Sequence, residues 1–237
     1  MNEKKLPLNS LHLKLLAVVT MLIDHMGFTL FPHAVWMRAV GRLAFPIFCF
    51  LIAEGCAHTR DKKRYAARLL LFAVLSELPF NLMCSGQWLS WNYQNVLWTL
   101  LIGALVCWAM DWALKKRTPS AFVLTGAVMV AAYWLLELTG TDYGGWGMLL
   151  VAAFYCARRC PYPQMAKMAI QAIGLVFFSI GVMGGRVTIE LWSLTALVPI
   201  WMYNGQRGFS NKALQYGFYA FYPVHILILS VLARYAF

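Results

Sequence analysis

Apolar residues fill the chain in long continuous runs that short polar or charged stretches separate. The runs are close to the ~20 residues that an α-helix needs to cross about 30 Å of hydrocarbon. They do not alternate with a period of two, which argues against a β-barrel. We therefore predict an all-α, polytopic integral membrane bundle that forms a single domain over residues 1–237. The nine predicted segments are 12–31, 35–57, 64–83, 93–113, 119–138, 144–157, 165–183, 188–203 and 213–235.

Composition supports a membrane protein, and the loop charges predict its orientation. The chain is 61% hydrophobic and 12% charged, with a mean hydropathy of +0.63, whereas soluble domains carry about 25% charged residues. Of its 20 Lys and Arg residues, 16 fall on one side of the predicted membrane. The positive-inside rule then puts the N-terminus in the cytoplasm and the C-terminus outside. The net charge of +11 comes from these loops, so we expect no nucleic-acid partner.

The first two predicted segments carry ionisable residues well inside them, namely Asp24 and His25 in the first and Arg42 and Glu54 in the second. Ionisable groups at membrane depth cost several kcal/mol, so they indicate function by default. A neutral imidazole such as that of His25 avoids the charge penalty and can accept a proton. A carboxylate, either Asp24 or Glu77, would orient the ring. The alternative is a structural hydrogen-bonded pair between helices.

Basic residues cluster on the predicted cytoplasmic side. Arg60, Arg64 and Arg68 are spaced i, i+4 and i+8, so a helix would align them as a site for phosphates. Contact with anionic lipid headgroups is the alternative. Lys14 lies eleven residues before His25, roughly 16 Å along a helix axis. A turn on the same side carries Tyr203, Asn204 and Arg207.

The outer half of the predicted bundle carries further polar residues. Asp142 and Tyr143 occupy the fifth connection, and Tyr219, Tyr222 and His225 lie along the last segment. Six cysteines occur singly inside apolar runs, without the spacing of a disulfide framework or a zinc site. We therefore expect no bound metal.

Several stretches resemble one known family, the TraX-type membrane acetyltransferases, which are named for pilin N-acetylation in conjugation systems. The matching stretches are LKLLAVVTMLIDHMG (13–27), GRLAFPIFCFLIAEG (41–55), TRDKKRYAARLLLFAVLSELPF (59–80), TDYG (141–144), MYNGQRG (202–208) and QYGFYAFYPVHILIL (215–229). TraX proteins are in turn similar to the membrane acyltransferase-3 group. That group has a basic residue, ten intervening residues and a histidine on its first span, which map onto Lys14 and His25. Many relatives have Arg where this chain has Lys14.

The resemblance implies an acetyl-CoA-dependent N- or O-acetyltransferase of the bacterial inner membrane. Acetyl-CoA would enter from the cytoplasm, and an amine or hydroxyl acceptor on a peptide or glycan would arrive from outside. His25 would act as general base, or carry the acetyl group itself. The remaining residues would hold the donor (Lys14, Arg60, Arg64, Arg68, Tyr203, Asn204, Arg207), orient His25 (Asp24, Glu77), stabilise the oxyanion (Arg42, His225) and bind the acceptor (Glu54, Asp142, Tyr143, Tyr219, Tyr222).

Two other functions fit the same residues. A proton-coupled transporter would use Asp24, His25, Glu54 and Glu77 as a proton relay between broken helices. A non-catalytic membrane scaffold is the third possibility, but it leaves the polar groups inside the segments unexplained. The cytoplasmic arginines with Lys14 favour the transferase, because a transporter does not need them.

Overall fold

The computed structural model describes residues 6–184 and 189–236, and it confirms the predicted all-α bundle. No β-strand occurs within these two ranges. The helices are α1 (Ser10–Thr29), α2 (Val35–Gly41), α3 (Ala44–His58), α4 (Lys62–Ser85), α5 (Val96–Lys116), α6 (Pro119–Leu138), α7 (Gly144–Arg159), α8 (Gln164–Met183), a 3₁₀ helix (Ile189–Ala196), α9 (Leu197–Trp201) and α10 (Lys212–Ala236).

The second predicted segment consists of two helices rather than one. The chain breaks at Arg42 and Leu43, between α2 and α3. Pro46 lies in the first turn of α3, where backbone N–H groups have no acceptor within the helix, so the N–H that proline lacks costs no helical hydrogen bond. The break therefore precedes the proline. By contrast, α4 and α10 continue through Pro79 and Pro223.

The short helix α7 is a full pass of the bundle. At its start, the Thr99 hydroxyl near the beginning of α5 donates to the Asp142 carbonyl over 2.7 Å. At its end, Arg159 donates to Asp111, near the end of α5, over 2.5 Å. Sixteen residues rise about 24 Å, so α7 lies alongside most of the length of α5.

The 3₁₀ helix and α9 together make another pass. Glu190 at the start of this pass contacts Arg42, while Tyr203 just after it bridges to Leu8 before α1. A 3₁₀ helix rises about 2 Å per residue, so thirteen residues reach further than the same number in an α-helix.

These contacts define two ends of the bundle. The basic end holds residues 6–9 and the connections at 59–61, 117–118, 160–163 and 202–211; the opposite end holds the other connections. Arg234 donates to the Gly86 carbonyl at the opposite end, so the described chain begins and finishes at different ends. Each of the nine predicted segments thus coincides with a helical pass. Lys4, Lys5 and Arg186, which entered the charge count, lie outside the described residues.

Within the described residues, seven passes are long and apolar enough to cross a membrane, which makes this a multi-pass membrane protein by length and composition. Helices α3, α5 and α7 form the centre of the bundle, with fully buried side chains such as Ile47, Ala104 and Tyr155. Helices α6 and α8 carry few buried residues and present apolar side chains outward. This outward apolar surface is suited to lipid rather than water.

Candidate functional site

A cavity of about 330 Å³ lies in the half of the bundle nearer the opposite end. Phenylalanine and methionine side chains form much of its wall. The polar or titratable side chains in the wall are Asp24, His25, Arg38, Arg42, Cys84, Tyr93, Asp142, Tyr143, Glu190 and Tyr222. They come from α1, the α2–α3 break, α4, the 3₁₀ helix, α10 and two connections, so the fold assembles the cavity from distant parts of the chain.

Asp24 is held by two arginines. Arg38 donates to Asp24 Oδ2 over 2.5 Å, and Arg42 donates to Asp24 Oδ1 over 2.7 Å. The Asp24 carboxylate is buried, so it needs these partners to remain charged there. Gly41 makes the approach possible, because a Cβ atom at this position would overlap the Asp24 side chain.

Arg42 uses most of its donors in contacts with other protein groups. Besides Asp24, it donates to the Tyr143 hydroxyl over 2.9 Å, to Glu190 over 3.1 Å and to the Arg38 carbonyl over 3.3 Å. A guanidinium has five N–H groups, so one has no partner in the described chain. The predicted oxyanion role of Arg42 stays a prediction and would have to use this one group. In Arg38, only Nη1 donates to a group in the described chain, and the side chain is 30% exposed.

His25 and His225 form a pair at the cavity wall. His25 Nδ1 lies 2.6 Å from His225 Nε2, and His225 Nδ1 lies 2.6 Å from the Phe221 carbonyl oxygen. The ring planes are within 8° of parallel, with centroids 4.9 Å apart. His25 lines the cavity, whereas His225 lies behind it and is 5% exposed. The structure thus joins two residues that are 200 positions apart.

The carboxylate expected to orient His25 is not in contact with it. Asp24 pairs with the arginines described above. Glu77 Oε1 accepts from the Asn95 side chain and from Trp98 Nε1, both over 2.5 Å, so it joins α4 to the start of α5. The partner of the His25 ring is His225 instead.

Asp142 and Tyr93 form a second polar contact in the wall. The Tyr93 hydroxyl donates to Asp142 Oδ1 over 2.5 Å. Burial raises the pKa of the Asp142 carboxyl to about 6, although the hydrogen bond from Tyr93 opposes the shift. Asp142, Tyr143 and Tyr222 all line the cavity.

Helices α1 and α10 connect the cavity to the basic end. Lys14 Nζ lies 5.7 Å from the centre of the Phe218 ring, and His25 contacts His225 further along the same two helices. Tyr219 lies between these contacts, where it stacks on Phe72 with centroids 5.2 Å apart. Tyr219 is therefore closer to the basic end than the cavity-lining Tyr222.

The predicted arginine stripe is only partly formed. Helix α4 begins at Lys62 with Asp61 as its N-cap, so Arg60 lies before the helix and cannot share its face. Arg64 pairs with Asp61 over 3.4 Å, and its side chain is 77% exposed. Arg68 alone turns inward, with its guanidinium 5.8 Å from the centre of the Tyr65 ring and its Nε buried without a hydrogen-bond partner in the described chain.

The turn with Tyr203, Asn204 and Arg207 lies beside the start of α1. The Asn204 N–H donates to the Leu8 carbonyl over 2.8 Å, and the Ser10 N–H donates to the Gln206 carbonyl over 2.8 Å. This brings the turn to the same end as Lys14, in agreement with the predicted grouping.

Glu54 does not belong to the cavity. It lies at the basic end, where Arg158 approaches its carboxylate to 2.8 Å and His58 to 3.8 Å. Its predicted role in binding an acceptor from the outer side stays a prediction; Phe48, the nearest cavity-lining residue of α3, precedes Glu54 by six residues, about 9 Å along the helix axis.

Sequence reasoning missed Arg38 and Glu190. Both lie inside predicted segments, so the rule that selected Asp24 and Arg42 applies to them equally. Arg38 is one of the four Lys and Arg residues that fall on the less basic side of the predicted membrane. The described residues contain no group of three His, Cys, Asp or Glu side chains suited to a metal ion.

Fold and site together define a multi-pass membrane protein with an ion-paired cavity. One member of a histidine pair, His25, lines this cavity, and the two helices that carry the pair run to the basic end. Comparison of the sequence identifies the family. The model of the family described as TraX protein matches residues 10–233, and the chain belongs to this family.

Two relatives match over most of their length. One is the probable fimbrial assembly protein FimC, serogroup H1, of Dichelobacter nodosus, which is 27% identical over 250 residues. This match covers 96% of this chain and 96% of that protein. Another is the protein TraX of Escherichia coli strain K12, which is 26% identical over 227 residues, or 93% of this chain and 86% of that protein. No solved structure was found to match the chain.

Proposed function

We propose that this protein is an integral membrane acetyltransferase that moves an acetyl group from acetyl-CoA to an amine or hydroxyl acceptor. The observation that carries the proposal is the position of His25. Its ring lines a cavity whose wall combines apolar side chains with ion-paired polar groups, and the two helices that hold it lead to basic side chains at one end of the bundle. A base between a phosphate-binding rim and an acceptor cavity is what such a transfer requires.

Acetyl-CoA would bind from the basic end, which we propose faces the cytoplasm of a bacterial inner membrane. Lys14, Arg68 and Arg207 would contact its phosphates, with Arg60 and Arg64 at the exposed rim and Tyr203 and Asn204 beside them. The buried Nε of Arg68 supports this assignment, because a buried donor without a partner costs about 1–3 kcal/mol unless a ligand satisfies it. The pantetheine arm would extend between α1, α4 and α10 towards His25.

In the transfer, His25 would remove a proton from the acceptor nucleophile as that atom attacks the thioester carbon. The new N–C or O–C bond forms, the C–S bond breaks, and the CoA thiolate leaves and takes up the proton. Negative charge develops on the carbonyl oxygen, where the free N–H groups of Arg38 can stabilise it. In the other route, His25 itself attacks first and then passes the acetyl group to the acceptor.

The acceptor would enter from the opposite end, past Asp142, Tyr143 and Tyr222. One relative is named as a probable fimbrial assembly protein, so we propose the N-terminal amine of an exported fimbrial or pilus subunit as the acceptor. A glycan hydroxyl remains the other acceptor class with the required nucleophile.

A proton-coupled transporter receives less support from the geometry. Its relay needs Asp24, His25, Glu54 and Glu77 to be connected. Asp24 is paired with two arginines, Glu77 on α4 accepts a hydrogen bond from Asn95 at the start of α5, and Glu54 lies at the basic end. These separate positions do not form a continuous proton path.

The test combines binding and transfer in purified protein. Acetyl-CoA should raise the melting temperature, since a ligand at 100 times its Kd adds about 2.7 kcal/mol to the free energy of unfolding. Replacement of His25 by Ala should abolish acetyl transfer but preserve this shift. The matched control is His33→Ala, which removes an exposed histidine at the opposite end. Absence of any shift with acetyl-CoA, or full transfer by His25→Ala, would refute the proposal.

A further inference from the structure

The hydrogen bonds of the two histidines determine where their ring protons lie. The Phe221 carbonyl oxygen can only accept, so His225 Nδ1, 2.6 Å away, must carry a proton. A neutral imidazole has one N–H, which makes His225 Nε2 an acceptor. His25 Nδ1, 2.6 Å from that atom, must then be the donor. The remaining nitrogen of His25, Nε2, then carries the lone pair, and it has no hydrogen-bond partner among the described residues.

Both rings are expected to be neutral at rest. His225 is 5% exposed, and neither ring contacts a carboxylate in the described part of the chain. A cation without a counter-charge at membrane depth costs several kcal/mol. Asp24, the acidic neighbour of His25 in sequence, is already paired with Arg38 and Arg42. The proton assignment above therefore follows from neutral rings and a single carbonyl.

The ring geometry agrees with a hydrogen bond rather than a face-to-face stack. The planes are nearly parallel, at 8°, but the centroids are 4.9 Å apart while the two nitrogens are only 2.6 Å apart. The nitrogens thus lie between the two ring centres, as in rings joined edge to edge. Phe221 packs against the His225 ring with centroids 4.5 Å apart, which restricts its rotation.

We propose that His225 is a positioning residue that fixes His25 in the tautomer with a proton on Nδ1. His25 Nε2 is then the atom that removes the proton from the acceptor, or attacks the thioester, in the transferase proposed above, on which this role rests. When Nε2 becomes protonated, His225 Nε2 continues to accept from His25 Nδ1 and stabilises the imidazolium. A carboxylate in the place of His225 would add a buried negative charge at rest, which the neutral ring avoids.

The tautomer can be tested without substrate. In protein labelled with ¹⁵N-histidine and purified in detergent, two-dimensional ¹H–¹⁵N spectra distinguish a protonated Nδ1 from a protonated Nε2. The His25→Ala variant identifies the signals of His25. We expect His25 to carry its proton on Nδ1 in the wild type and to become a mixture of tautomers in His225→Leu. A proton on Nε2 in the wild type would overturn the inference, whatever the activity.

Activity gives the second readout. Gln at position 225 can still accept from His25 Nδ1 through its side-chain oxygen, whereas Leu cannot. We expect His225→Leu to lower kcat about 100-fold with little change in KM for acetyl-CoA, and His225→Gln to retain activity within about tenfold. Equal loss in both variants, at unchanged melting temperature, would contradict a positioning role.

The two proposals can fail separately. If acetyl-CoA neither binds nor reacts but His25 keeps its proton on Nδ1, the proposed transferase activity is wrong and the proposed arrangement of the histidine pair is retained. If transfer depends on His25 but not on the residue at position 225, the transferase stands and the positioning role is wrong.

Discussion

Arg42 donates to Asp24 over 2.7 Å, and this contact attaches the break in the second pass to the second half of the first. Arg42 also binds Tyr143 and Glu190, so a single guanidinium connects four separate segments of the chain. Both members of the Arg42–Asp24 pair are about nine-tenths buried. Removal of one partner leaves the other as an uncompensated buried charge, which costs far more than the loss of an exposed pair.

Replacement of Asp24 by Leu should lower the free energy of unfolding by about 3–5 kcal/mol. The control is Arg64→Gln, which removes the exposed pair with Asp61 and should cost at most about 1 kcal/mol. Both are measured by denaturant unfolding of purified protein in detergent without ligand. Similar costs for the two variants would mean that the Asp24 cluster contributes no more than a surface pair.

Gly41 provides an independent test of the same contact. A methyl group at this position would overlap the Asp24 side chain, so Gly41→Ala should force α1 and α2 apart and destabilise the protein by about 1–3 kcal/mol. Gly126 is the matched control, because it lies in α6 with open space around its Cα. There, Ala should be neutral or stabilise the helix by up to about 1 kcal/mol. Thermal unfolding distinguishes the two; a neutral Gly41→Ala would exclude the close approach.

The positions of the passes were predictable because lipid imposes a strong and simple constraint. An apolar run of ~20 residues has few alternatives to a spanning helix. The break at Arg42 was harder to predict from the sequence, since an arginine within an apolar run carries no signal for a helix end. The 3₁₀ conformation of residues 189–196 likewise depends on tertiary contacts rather than on local preference.

The site was predictable only as a list of unusual residues, without their partners. Asp24 and His25 were selected for their depth, but which group each one contacts depends on how helices pack. The sequence neighbours Asp24 and His25 point in different directions, so one meets arginines and the other meets His225. The predicted helical alignment of Arg60 with Arg64 and Arg68 was wrong, because the helix begins only at Lys62.

Glu54 should act as a structural residue at the basic end. Single Gln replacements of Glu54 and of Arg158, together with the double variant, form a thermodynamic cycle for their 2.8 Å contact. We expect a coupling energy of about 0.5–3 kcal/mol, since both residues contact each other directly. Acetyl transfer by Glu54→Gln should stay near the wild-type level at a temperature where the variant is folded. A loss of acceptor binding in this variant would return Glu54 to the functional site.

The orientation of the bundle can be tested at its two ends. The positive-inside rule places the basic end in the cytoplasm, so Lys116 at the end of α5 and Gln87 after α4 should face opposite compartments. Both side chains are exposed, and each can be replaced by Cys in a background without the six native cysteines. A maleimide that cannot cross the inner membrane, added to intact cells, should label Gln87→Cys and not Lys116→Cys. Disruption of the membrane should make both reactive, which controls for burial of either site. Labelling of Lys116→Cys alone in intact cells would reverse the orientation and put the basic rim outside, where cytoplasmic acetyl-CoA cannot reach it.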